Sequence, residues 1–141
     1  MDMNPGESAI SILLVEDDEV DIQNILREFS HLKIPIQFHI AKNGVEALDK
    51  LYGTNGTEKI AAPHAIILDT NMPKMNGIEF LETLRKDSNF DSVQVFILSG
   101  EYTTREKLAM HHLSVAFRIV KPLQLDDVRH LHWLIMRNKA K

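Results

Sequence analysis

The chain has 141 residues, 44% hydrophobic and 26% charged, with a formal net charge of −4, which fits one globular domain able to bury most of its apolar surface. It has no cysteine, which excludes disulfides, thiolate metal sites and a cysteine nucleophile and fits a reducing cytoplasm. The net negative charge leaves no footprint for nonspecific nucleic-acid binding, and no apolar run approaches the ~20 residues of a membrane span.

The first eight residues, MDMNPGES, lack the basic region and apolar core of a secretory signal. Residues 1–8 are expected to be a short disordered tail. Ile10 to Val15 (ISILLV) is a short continuous apolar run, as in a parallel strand covered on both faces. It runs straight into Glu16-Asp17-Asp18. Ile22, Ile25, Leu26 and Phe29 follow at the i, i+3, i+4, i+7 spacing of a helix, with Asp18 as the expected N-cap. A second strand is expected over 36–41, then a helix after Asn43-Gly44 carrying Val45, Leu48 and Leu51. Residues 53–63 (GTNGTEKIAAP) exceed the usual αβ loop of about 2–6 residues. They read as a tolerated surface insertion, with a partner contact as the alternative.

The third strand, 65–69, ends on a carboxylate, Asp69, followed by a loop with Pro73 and Gly77. Gly77 leads into a helix with Ile78, Leu81 and Leu84. The fourth strand, 93–98, runs into Ser99-Gly100. Thr103-Thr104 then caps a helix through Leu108 and Leu113. The fifth strand, 116–120, runs into Lys121-Pro122, and the last helix carries Val128, Leu131 and Ile135. At about 100° per residue, Trp133 points away from that stripe. Met72, Met75 and Met110 read as packing residues. His111, His112, His130 and His132 show no metal-ligand spacing and read as surface or half-buried. Alternation of this kind implies an α/β fold, a flavodoxin-like (βα)5 doubly wound parallel sheet in strand order 2-1-3-4-5.

In such a sheet the carboxyl ends of the strands form the ligand edge. Glu16, Asp17 and Asp69 then lie together, and clustered carboxylates raise one another's pKa. A hard divalent cation relieves that repulsion, and Mg²⁺ suits an open, oxygen-rich site. Ser99 supplies a hydroxyl and Lys121 a cation at the same edge. A carboxylate nucleophile, a metal, a hydroxyl donor and an ammonium form a phosphoryl-transfer set.

With these residues placed, residues 9–138 resemble a response-regulator receiver domain, the phosphoacceptor half of two-component signalling. The resemblance rests on the acidic pair, Asp69, Ser99 and Lys121-Pro122, each at its strand end and in order. It implies that Asp69 is phosphorylated by a sensor histidine kinase. It further implies Asp17 as the principal Mg²⁺ ligand and Glu16 as its neighbour acting through bound water. Asn71 would offer its backbone carbonyl to the metal. Ser99 and Lys121 would hold phosphoryl oxygens, and Pro122 would follow a cis peptide bond. Asn71 and Glu101 would flank the path of attacking water and shorten the acyl-phosphate lifetime. The stand-alone architecture and the 53–63 loop are similar to the small single-domain regulators that partner phytochrome-type kinases. No output domain is expected, residues 139–141 being a tail.

The expected function is a single-domain response regulator in the cytoplasm, a switched interaction protein that catalyses only its own modification. A homodimer is expected through the helix 4–strand 5–helix 5 face, with Trp133 in the contact. Two rivals are weighed. A pseudo-receiver would bind partners without phosphorylation, which the intact acid pair, Asp69, Ser99 and Lys121 oppose. A haloacid-dehalogenase-like phosphatase would need a second acid two residues past the nucleophile, where Asn71 stands.

One position departs from the family. Three residues before the lysine, receivers usually carry an aromatic ring that swings inward; here it is Arg118. Phe117 should face the other side of the sheet. A guanidinium loses hydration in an apolar slot unless it finds an acid. Arg118 is therefore expected to stay at the surface and pair with an acid, Glu101 and Glu106 being nearest by topology.

Overall fold

The computed structural model describes residues 9–70, 72 and 75–140. Five strands, β1 (Ile10–Val15), β2 (Ile36–Ala41), β3 (Ala65–Asp69), β4 (Gln94–Ser99) and β5 (Val115–Val120), form one sheet in the order β2-β1-β3-β4-β5. Every pairing is parallel. The helices between and after them are α1 (Glu19–Ser30), α2 (Gly44–Tyr52), α3 (Gly77–Arg85), α4 (Thr104–His112) and α5 (Leu125–Lys139). A short 3-10 turn, Ser88–Phe90, precedes β4. This is the expected doubly wound arrangement. Among the described residues, no helix is long and apolar enough to cross a membrane.

Alternate strand residues feed two separate cores, as the pleat requires. Leu13, Val15, Ile66, Leu68, Val95 and Ile97 pack under α2, α3 and α4, with Met72, Met75 and Met110 filling in. Ile12, Leu14, Ile67, Phe96, Leu98 and Ile119 pack under α1 and α5. The last helix turns Val128, Leu131 and Ile135 inward, and Trp133 is 55% exposed. Phe117 lies on this second face, edge-on to Phe96 and stacked on His130.

Caps set where the helices begin. Asp18 accepts from the backbone N–H groups of Val20 and Asp21 and starts α1. Asn43, Asn76 and Thr103 do the same for α2, α3 and α4. Two expected stripes are corrected. In α2 the inward positions are Gly44, Ala47, Leu48 and Leu51, because Gly44 N–H donates to the Met75 carbonyl and holds that side against the loop; Val45 is exposed. In α4 the inward face runs through Glu106, Ala109, Met110 and Leu113, and Leu108 is 55% exposed.

Strand limits also shift slightly. Val93 is buried, but its N–H donates to Phe90 and its carbonyl accepts from Arg85, so it is outside the ladder. β4 instead extends to Ser99, opposite Val120, and β5 begins at Val115, opposite Val95, with a bulge between Val95 and Phe96. The long 53–63 loop is tied down by a left-handed Gly53 at the end of α2 and by Ile60, whose N–H donates to the Lys50 carbonyl.

Candidate functional site

β1, β3, β4 and β5 end side by side, and their last residues deliver the site. Glu16 follows β1 and is fully buried; Asp69 ends β3 and is almost fully buried. Asp17 is exposed. Carboxylate oxygens of Glu16, Asp17 and Asp69 all lie within 4.8 Å of one another. Glu16 Oε2 accepts from the backbone N–H groups of Asp17 (3.0 Å) and Asp18 (3.2 Å). Its other oxygen, Oε1, is buried without a hydrogen-bond donor.

Lys121 approaches from β5. Its Nζ lies 3.5 Å from Glu16 Oε1, 3.4 Å from Asp69 Oδ2 and 3.2 Å from Asp21 Oδ2. The Lys121–Pro122 bond is cis, as the resemblance implied. Asp21 was not singled out from sequence. Its place in the first turn of α1 reads as an ordinary dipole-complementing acid, and only the crossing of α1 beside β5 brings it to the lysine.

The charges are crowded. Burial pushes the Glu16 carboxyl up, to about 8, with a hydrogen bond to Asp69 and the Asp69 charge adding to the effect; the Asp18 N–H and Lys121 oppose it. Burial lowers the Lys121 ammonium, but Asp69, Glu16 and Asp21 outweigh burial and raise it to about 12. One cation thus faces three acids.

A cavity of about 530 Å³ opens in front of Asp69, lined by Ser99, Glu101, Arg105, Glu106 and Lys121 among others. Ser99 is buried at the end of β4. The structure therefore brings together Glu16, Asp17, Asp69, Ser99 and Lys121. The expected carbonyl ligand, Asn71, lies outside the described residues.

Arg118 overturns one expectation. It does not stay at the surface: its side chain is 16% exposed, and Nε donates to Ser99 Oγ at 2.9 Å. Glu106, the acid named as a candidate partner, lies 3.8 Å from the same Nε with its side chain 4% exposed. The Tyr102 ring covers the guanidinium, 4.7 Å from Cζ. A buried counter-acid and an aromatic face offset the lost hydration, which is why the slot accepts a cation. Glu106 also closes a capping box with Thr103 at the start of α4.

A family model for the response regulator receiver domain matches residues 12–132. A crystal structure of a two-component response regulator from Legionella pneumophila is 46% identical, superposes with a TM-score of 0.83, and the match covers 91% of this chain and 98% of that one. Response regulator Rcp1 of Synechocystis is 26% identical over 117 residues, 83% of this chain and 80% of Rcp1. The Mn²⁺-bound form of Rcp1 gives a TM-score of 0.75 at 25% identity, covering 89% of this chain and 91% of that one. The phosphorylated cyanobacterial phytochrome response regulator RcpA gives the same TM-score and identity, covering 91% and 89%. Fold, strand-end residues and family model agree, and the chain belongs to the response regulator receiver domain family.

Proposed function

We propose that this receiver domain takes a phosphoryl group onto Asp69 from a partner histidine kinase, with Mg²⁺, and so switches protein–protein contacts. The observation that carries the proposal is the position of Asp69. It sits between an acid cluster (Glu16 and Asp17) and an ammonium 3.4 Å away, facing an open cavity.

A divalent cation fits the residues present. Three carboxylate oxygens converge, and Glu16 is fully buried against Asp69 with Lys121 as its counter-charge. Crowded, buried carboxylates of this kind suit a hard metal. Asp17, Asp69 and Glu16 would hold the ion, which when bound would neutralise phosphoryl charge.

In the transfer, an Asp69 carboxylate oxygen attacks phosphorus in line. The phosphorus–nitrogen bond to the kinase imidazole breaks, and the leaving imidazole keeps the bonding pair and takes a proton from solvent. Lys121 neutralises one phosphoryl oxygen and Ser99 donates its hydroxyl to another. Water later hydrolyses the acyl phosphate, with Glu101 at the cavity wall beside its path. The likeness to Rcp1 and to the phytochrome regulator RcpA supports a phytochrome-type kinase as the donor. The exposed Trp133 and Val120 support a homodimer contact on α4, β5 and α5.

Intact mass after incubation with Mg²⁺ and acetyl phosphate tests the proposal. A single phosphoryl adduct, absent without Mg²⁺ and absent in Asp69→Asn, is expected. No adduct would leave a pseudo-receiver, and sustained turnover of phosphate esters would point to a phosphatase.

A further inference from the structure

Arg118 reaches Ser99 but is not among the residues lining the cavity in front of Asp69, whereas Ser99, Glu106 and Lys121 are. Its hydrogen bond toward the cavity is to the serine. The direction of that hydrogen bond is fixed by chemistry. A guanidinium has five donors and no acceptor, so Ser99 Oγ must be the acceptor. A serine hydroxyl has one proton and two lone pairs. With one lone pair turned to Nε, the hydroxyl proton is directed elsewhere, and the open side of Ser99 is the cavity.

The guanidinium is itself held. Glu106 lies 3.8 Å from Nε, and its Oε1 is buried without a hydrogen-bond donor. The other Glu106 oxygen, Oε2, accepts from the N–H and hydroxyl of Thr103. Tyr102 stacks over the guanidinium. The arginine is thus fixed from α4, from the β4–α4 loop and from β4 at once.

We propose that Arg118 is a positioning residue for phosphoryl transfer: its donation to Ser99 Oγ fixes that hydroxyl as an acceptor and commits its proton to the phosphoryl oxygen arriving on Asp69. The inference rests on Asp69 being the phosphoacceptor. A polarised hydroxyl relays the arginine's positive charge to a phosphoryl group that already faces Lys121 and, on the cavity wall, Arg105. Donation onto an oxygen also makes its own O–H a better donor, since successive hydrogen bonds polarise one another.

The test is a double-mutant cycle on the full chain, reading the rate of adduct formation with acetyl phosphate and Mg²⁺. Arg118→Met is expected to slow phosphorylation about tenfold, the scale of one charge-assisted hydrogen bond. Ser99→Ala should slow it at least as much, and the double variant should be no slower than Ser99→Ala alone. Arg118→Lys, which keeps a charged donor, should recover part of the rate. In the unmodified protein, the Arg118 Nε–H resonance should exchange slowly with water and lose that protection in Ser99→Ala. A wild-type rate in Arg118→Met, or a tenfold penalty that persists in the Ser99→Ala background, overturns the inference while the Asp69 reading stands. Failure of the wild type to form any Asp69 adduct overturns both.

Discussion

Gly77 sits directly against the backbone of Asp69. A Cβ at Gly77 would run into the Asp69 carbonyl oxygen and come within 2.8 Å of Thr70 Cα. The first residue of α3 therefore has no room for a side chain, and the helix start backs the strand end that carries the carboxylate. Gly77→Ala is expected to destabilise the fold by about 1–3 kcal/mol, the usual cost of overpacking a fixed backbone. It should also shift Asp69 and slow adduct formation more than any loss of folded protein explains. Denaturant melts alongside the mass assay check both effects.

Glu16 predicts how stability depends on pH. Its folded pKa is raised from the ordinary 4.5 to about 8, so the folded state holds a proton that the unfolded chain gives up. Linkage then makes the Glu16 contribution favourable below about 4.5 and progressively lost as pH rises to about 8. Without divalent cation, Glu16→Gln should gain stability relative to wild type across that window. With excess Mg²⁺ the wild type should recover, because the ion binds the folded, deprotonated site. Parallel pH-dependent melts, plus or minus EDTA, decide it; a constant difference between the two proteins would rule it out.

Asp17 is the exposed member of the acid cluster, and its removal should not damage packing. Asp17→Ala is expected to abolish the rise in melting temperature that Mg²⁺ gives the wild type and to prevent phosphorylation. Relief of like-charge repulsion should leave the metal-free variant at least as stable as the metal-free wild type. A thermal-shift titration with Mg²⁺ measures this directly.

Arg85 ties three segments together away from the site. Its Nε and two Nη atoms donate to the carbonyls of Leu113, Phe90, Val93 and Ser114 at 2.8–3.1 Å. A lysine cannot span that fork. Arg85→Lys should cost about 2–4 kcal/mol by leaving half-buried carbonyls unpaired. Phosphorylation of the folded fraction should be unchanged, which a stability curve and the mass assay together would show.

Trp133 is exposed beside Arg137, whose Cζ lies 5.2 Å from the ring, and Met136 is exposed next along the helix. An aromatic and an arginine so placed are typical anchors of a contact between chains. The wild type is expected to sediment as a homodimer at high micromolar concentration, and Trp133→Ala to shift it to monomer. A monomeric wild type, with and without phosphodonor, would exclude the contact.

The sheet order, the helix stripes under β1, β3 and β5, and the meeting of Glu16, Asp17, Asp69, Ser99 and Lys121 were all legible in the sequence. The reason is that the buried strands read as near-continuous apolar runs, broken in β5 by Arg118, and those that end at the site each run into its polar residue. Once the order of strands follows from handed crossovers, the strand ends must share an edge. The inward faces of α2 and α4 were legible only in part: Leu48, Leu51 and Leu113 face the core, while Val45 and Leu108 do not. The approach of Asp21 to Lys121 was not legible, since those residues are far apart in the chain. Arg118 shows the division most clearly. Sequence alone determined that a cation replaces an aromatic ring and that only an acid could draw it inward. Tertiary structure decided the outcome, because the balance between hydration and pairing turns on a few ångströms. Glu106, turned in from α4 by its own capping role, lies close enough to tip it.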